Sequence, residues 1–242
     1  MTTRTCTSAA SAIALSLLLA LDAPSAFAQP VTIAPARTTE QAGLVDIRSL
    51  VPDIALDIRY AGANNFTSRP VPGYDAAKCF LLRPAADALA KVEANLRANR
   101  YRLQVFDCYR PAQSVRAFVA WAHDPQEQSR KAIQYPGLEK PALLGGYIAE
   151  TSGHSRAATV DLGLLDCRSA PCTAVDMGTD FDFFGPRAHT DAPDISAAQR
   201  RNRQTLLQAM QRHGFANYPQ EWWHFTLTPE PSPTTAYEVP VR

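Results

Sequence analysis

Excess charge of either sign is what this 242-residue chain most conspicuously lacks: 24 Lys and Arg against 23 Asp and Glu leave a net charge of +1. No basic stripe of the kind nucleic acid demands is present, so no nucleic-acid partner is expected. Internal repeats and low-complexity tracts are missing too. Long apolar runs are confined to one, Ala9 through Leu21, which is shorter than the roughly 20 residues a membrane span needs. It follows Arg4 and ends in APSAFAQ, where Ala26, Phe27 and Ala28 form an A-x-A cleavage site before Gln29. Residues 1–28 therefore read as a signal peptide rather than an uncleaved anchor. An exported protein, periplasmic or secreted, is expected, with no stable membrane insertion after cleavage. Cys6 lies ahead of the apolar core, where it cannot be the lipidated cysteine of a lipoprotein signal.

The remainder suits one domain, since domains commonly hold about 100–200 residues. Residues 29–41 are polar, contain Pro and Thr and carry no apolar period, so they read as a flexible arm ahead of a domain spanning 42–242. Removing the signal leaves Cys79, Cys108, Cys167 and Cys172, an even number in an oxidising compartment. Cys167 and Cys172 enclose the turn-like RSAP and are expected to pair, which leaves Cys79 with Cys108 among three formal connectivities. A four-cysteine zinc site competes weakly, because the two-knuckle spacing is lacking.

Ile54 to Tyr60 alternates like a half-buried strand, and the turn-rich AGANNFTSRPVPGYDAA after it predicts a long loop. Pro84 to Asn99 carries Ala88, Leu89, Val92 and Leu96 at helical spacing. Tyr101–Tyr109 alternates again, and Pro111 starts a second helix with Val115, Phe118, Val119 and Ala122 on one face. A Pro- and Gly-containing stretch runs to Gly146, then come the strand-like ATVDLGLL, a helix over Ala197–His213 closed by Gly214, and strands around EWWHFTLT. With no regular βαβ rhythm, the fold class is α+β, a single domain with a small antiparallel sheet and flanking helices.

Of the five histidines, His154 and His224 keep unusual company. His154 sits in SGHSRAATVDLGL with Asp161 seven residues on, and His224 follows Glu221 by three in EWWHFTLT. A catalytic zinc takes three nitrogen or oxygen ligands and leaves one position open for a water whose pKa it lowers to about 7. His154, Asp161 and His224 supply such a set, and Glu221 is placed to handle the proton without being a ligand. As bare spacing this is weak, since a His near an Asp is usually a hydrogen-bonded pair, and the helical HExxH motif is absent. Trp222 and Trp223 read as simple core more readily than as walls of a site.

The blocks IRYAGANNF, VPGYDA, FDCYRP, SGHSRAATVDLGL, MGTDFDFF and EWWHF occur in this order along the chain. In that detail it resembles the D-alanyl-D-alanine dipeptidases, zinc peptidases that share their fold with D,D-carboxypeptidases and hedgehog signalling domains. The resemblance implies one Zn2+ held by His154, Asp161 and His224, with Glu221 as catalytic acid and base. It implies that Arg110 steadies the oxyanion, a task suited to a guanidinium that never loses its charge. Asp182 would hold the free amino group of a dipeptide and so reject longer peptides, while Asp176 and Asp180 are expected to be solvated. Ser155 is expected to bind the substrate carboxylate, and Tyr60, Asn65 and Tyr74 match a loop expected to wall the site.

Three departures from that family stand out. An exported enzyme meets D-Ala-D-Ala released from the cell wall, for turnover or salvage, rather than the newly made cytoplasmic pool. Gly153 stands where some relatives have a serine. The cysteines suit an oxidising compartment, and a Cys79–Cys108 bond would fix the strand that presents Arg110. The competing readings are a D,D-carboxypeptidase or endopeptidase acting on longer wall peptides, and a zinc-bearing binding protein without turnover, against which Glu221 argues.

Overall fold

The computed structural model of the chain describes residues 1–2 and 30–242, so the signal segment, apart from its first two residues, lies outside the described residues. The polar lead is tied down more than a free arm would be. β1 (Thr32–Ile33) pairs in parallel with Thr235–Ala236, and a turn at 38–44 closes through Ala42 N–H to Thr38 O and Leu44 N–H to Thr39 O. Hydrogen bonds rather than apolar packing hold most of it, the backbone ones joined by Arg37 N–H to Gln41 Oε1 and Gln41 N–H to Thr38 Oγ1, while most of its side chains stay exposed, which is why no apolar period announces it.

β2 (Leu44–Asp46) is followed by β3 (Ala55–Leu56), far shorter than the alternation of Ile54–Tyr60 predicts. The chain turns into a 3-10 helix at Arg59–Ala61 that carries Tyr60 into the interior. Asn65 braces the loop beyond it, donating to the Arg59, Gly62 and Arg69 carbonyls and accepting from Thr67. β4 (Phe80–Leu82) pairs antiparallel with β2 and leads into α1 (Arg83–Arg97). Pro84 sits in the first turn, where its missing N–H costs nothing, and Ala85, Leu89, Val92 and Leu96 form one buried face.

β5 (Tyr101–Asp107) and α2 (Ala112–His123) follow as the periodicity predicts. α3 (Lys131–Gln134) is a single turn inside the Pro- and Gly-containing stretch. β6 (Thr159–Asp166) and β7 (Thr173–Ala174) precede α4 (Ala197–Gln211), which opens with a Ser196–Gln199 capping box. Gly214, at φ +87°, turns the chain into β8 (Phe215–Asn217). β9 (His224–Leu227) and β10 (Thr235–Ala236), the partner of β1, complete the chain.

The central sheet runs β3-β5-β6-β9-β8, with β7 on the end of β6. All its pairings are antiparallel except β3 with β5, so the α+β expectation holds with a parallel edge added. β6 is buried on both faces from Thr159 to Leu164. α1 and α4 pack on each other and on the sheet. An aromatic cluster joins the 60–66 loop, α2 and the 181–184 segment: Phe66 lies 4.8 Å from both Phe118 and Trp121, and Phe181 stacks on Phe106 at 5.0 Å. Trp222 and Trp223 are core, the first donating to Thr179 Oγ1 at 2.8 Å.

Cys79 is bonded to Cys108, and Cys167 to Cys172. The first bridge is buried and joins the residue before β4 to the residue after β5. Its partners are 29 residues apart, against 5 for the second. On loop-closure entropy, replacing both cysteines of the first pair by Ser is expected to cost roughly 3–4 kcal/mol and of the second roughly 2. Urea unfolding of the two double variants checks this, and an equal or smaller loss for the buried pair would contradict it.

Candidate metal centre and cleft

Strand register assembles the site. β6 lies between β5 and β9, and Asp161 pairs with Asp107 on one side and His224 on the other. An irregularity in β5 between Val105 and Asp107 shifts the register just before Asp107, as bulges beside functional sites do. His154 arrives from outside the sheet, on a 3-10 turn spanning Gly153–Arg156. Ser152 caps that turn by accepting the His154 N–H at 3.2 Å. A Cβ on Gly153 would fall 2.8 Å from Thr159 Oγ1, so in this chain the glycine is what lets the turn close on β6.

His154, Asp161 and His224 converge with ligand atoms all within 4.8 Å of one another. His154 Nε2 is 3.2 Å from Asp161 Oδ2 and 3.3 Å from His224 Nδ1, which is itself 3.0 Å from Asp161 Oδ1. His154 Nδ1 donates to the Cys108 carbonyl at 2.7 Å, so its Nε2 presents a lone pair to the cluster, the outer bond characteristic of a metal-binding imidazole. Asp161 Oδ1 is buried without a satisfying hydrogen bond. Two imidazole nitrogens facing each other beside an orphaned carboxylate oxygen fit a divalent cation of zinc type. Burial works against ionising Asp161, yet its neighbours His154 and His224 hold its carboxyl well below the usual range.

Glu221 sits in the turn before β9, with Oε2 3.5 Å from His224 Nδ1. Asn217 fixes that turn by donating to the carbonyls of Glu221 and His224 at 3.0 and 2.9 Å. Burial pushes the Glu221 carboxyl up to about 7, against the lowering effect of His224. Arg110, just before α2, lies over the rings of Tyr60 and Phe118 at 5.1 and 5.0 Å. Burial disfavours its charge, but the facing groups Tyr60, Asp107 and Asp161 keep it a cation. Asp182, at φ +58°, is buried and accepts the Tyr60 hydroxyl at 2.9 Å. Burial, then the charge of Asp161, raises its carboxyl well above the ordinary range.

His154, Asp161, His224, Glu221, Arg110, Tyr60 and Asp182 line one cleft of roughly 270 Å³, and Asp107 lies outside it. Three residues expected there, Asn65, Ser155 and Tyr74, are not among its walls; Asn65 is buried, its amide spent on carbonyls of its own loop. Ser155 is buried with its hydroxyl unpartnered, because the turn at His154 directs it inward; Thr151 and Ser152 line the cleft instead. Tyr74 lies behind the cleft, donating to Asp107 Oδ1 at 2.6 Å. Asp180 is exposed beside Arg59 and Asp176 accepts from Gln199, so neither competes with Asp182. Sequence reasoning passed over Asp107, although a carboxylate at the end of a buried strand three residues before Arg110 is itself a signal. It also passed over Tyr147 and Tyr218, which line the cleft from segments with no periodic pattern.

Two histidines and an aspartate gathered at the centre of an α+β sheet, with a buried glutamate against one of the histidines, define a zinc metallopeptidase. More particularly, the chain belongs to the D-Ala-D-Ala dipeptidase family, whose model matches residues 40–242. A D-alanyl-D-alanine dipeptidase of Streptomyces coelicolor is 37% identical over 196 residues, covering 81% of this chain and 96% of the relative. Those of Enterococcus faecalis and Escherichia coli are 35% and 32% identical, over 82% and 78% of this chain and 98% and 86% of the relatives. A solved vancomycin-resistance D,D-pentapeptidase in complex with Zn(II) aligns at TM-score 0.38 and 16% identity, over 64% of this chain and 77% of that one.

Proposed function

We propose that the chain hydrolyses D-alanyl-D-alanine to two D-alanines after export, in the turnover or salvage of cell-wall peptide. His154, Asp161 and His224 would hold zinc, which when bound supplies Lewis acidity and a water ionised near neutral pH. Glu221, its carboxyl raised to about 7, takes a proton from the attacking water and returns it to the leaving amine; a group matched to the working pH does both well. Arg110 donates to the oxygen on which negative charge develops, and its fixed cation needs no reorganisation during the reaction. Asp182 pairs with the substrate ammonium, oriented by the Tyr60 hydroxyl.

The observation that carries this reading is the sharing of one cleft by the His–Asp–His cluster, Glu221 and a second buried carboxyl, Asp182. A peptidase for long chains has no use for a buried acid at that depth, whereas a free dipeptide brings a cation to it. Among the described residues no helix is long and apolar enough to cross a membrane, and the buried disulfide suits an oxidising compartment. The test is an assay of protein purified from the periplasmic fraction, expected to begin at Gln29, on D-Ala-D-Ala, L-Ala-L-Ala and N-acetyl-D-Ala-D-Ala, with chelator and zinc restoration. Chelator-sensitive cleavage of the free D,D-dipeptide is expected. Preference for the acetylated peptide would make the chain a D,D-carboxypeptidase, and no cleavage of any of the three would leave a zinc-bearing binding protein.

A further inference from the structure

We propose that Asp107 is a positioning residue of this site, holding the Arg110 guanidinium away from Asp161 and so leaving that carboxylate to the metal. The inference rests on the metal and oxyanion roles given above. Asp107 is fully buried and both its oxygens are engaged. Oδ1 accepts from the Tyr74 hydroxyl at 2.6 Å; Oδ2 accepts from Arg110 Nε at 3.0 Å and lies 2.9 Å from Nη2 of the same guanidinium. That Nη2 is only 3.6 Å from Asp161 Oδ2. The guanidinium therefore stands between two buried carboxylates and is hydrogen-bonded to one of them.

The spacing is a product of the sheet, since Asp107 and Asp161 are cross-strand partners on β5 and β6. Without the charge of Asp107, the nearest carboxylate left to Arg110 is Asp161. A guanidinium drawn there takes up an oxygen the metal needs, and its own charge repels a dication at a distance and dielectric where that repulsion is large. Asp107 offsets that charge and supplies the competing partner. His154 offers no alternative route: its Nδ1 is 3.5 Å from Asp107 Oδ2, but its proton goes to the Cys108 carbonyl at 2.7 Å. Tyr74, expected from the sequence to wall the site, belongs to this arrangement as the group that orients Asp107.

The test is zinc binding rather than turnover. Metal-depleted wild type, Asp107→Asn, Arg110→Met and the double variant are titrated with zinc in competition with a chromophoric chelator, and thermal melts check folding. Asp107→Asn is expected to weaken zinc binding on the order of tenfold, the usual scale for an outer partner of a metal site. Arg110→Met is expected to bind at least as tightly as wild type, and the double variant to match Arg110→Met, because the loss acts through the guanidinium. No weakening in Asp107→Asn, or a loss that persists once Arg110 is gone, overturns the proposal. Tyr74→Phe, which removes one donor and leaves the carboxylate, serves if Asp107→Asn folds poorly. Its smaller weakening should likewise vanish in the Arg110→Met background, and persistence there overturns the proposal. Failure of wild type to bind zinc would remove the metal assignment itself, and this inference with it.

Discussion

Glu221→Gln is expected to lower kcat for D-Ala-D-Ala on the order of 10³-fold, within the range general acid–base groups contribute, while zinc stays bound with near-native affinity. Glutamine keeps the shape and the burial but can neither take a proton from water nor return one to the leaving amine. The turn that carries the residue is held through backbone carbonyls by Asn217, so the substitution leaves the position of His224 intact. The paired measurement is steady-state kinetics beside a zinc titration. Loss of activity together with loss of zinc would make Glu221 a ligand rather than a base, and retention of activity would remove it from the mechanism. KM is expected to change little, because the proton transfer is felt in the transition state and not in the bound substrate.

The parts of this molecule that were legible in the sequence are those set by local period or by a short motif. α1, α2, α4, β5 and β6 all follow from apolar spacing, because each buries a continuous face. β3 is shorter than its pattern predicts: Ile54–Tyr60 alternates, yet only Ala55–Leu56 finds a strand partner before the chain turns to bury Tyr60. The three candidate ligands were legible because a cation of zinc type demands those residue types, and the ordered blocks of family resemblance singled out which of them. What stayed hidden depends on register and turn geometry. Nothing in FDCYRP says that Asp107 will lie opposite Asp161, since that requires knowing how β5 and β6 align across an irregularity. Likewise Ser152 and Ser155 differ little as sequence, and the 3-10 turn at His154 decides that the first borders the cleft while the second is buried. Tyr60 and Tyr74 look alike in the sequence as parts of one wall; the first reaches Asp182 and the second Asp107.

Asp182→Asn is expected to abolish the preference for a free dipeptide without abolishing the chemistry. In the native protein the Asp182 carboxyl is buried, accepts from Tyr60 at 2.9 Å and is raised well above the ordinary carboxylate range by burial and then by Asp161. A group so placed is costly to ionise alone and gains most when a cation arrives, which on the proposed reading is the substrate ammonium. Asparagine is nearly isosteric and can still accept from Tyr60, but it carries no charge. Breaking one side of a buried ion pair costs about 3–5 kcal/mol, so kcat/KM for D-Ala-D-Ala should fall by about 10²–10⁴-fold. N-acetyl-D-Ala-D-Ala has no ammonium to lose, and its kcat/KM should stay level or rise. The ratio of the two substrates is therefore the decisive quantity, because a structural fault at Asp182, whose φ of +58° Asn also tolerates, would depress both equally. An unchanged ratio would take Asp182 out of substrate recognition and leave the length limit to the aromatic wall of Phe66, Phe118 and Phe184.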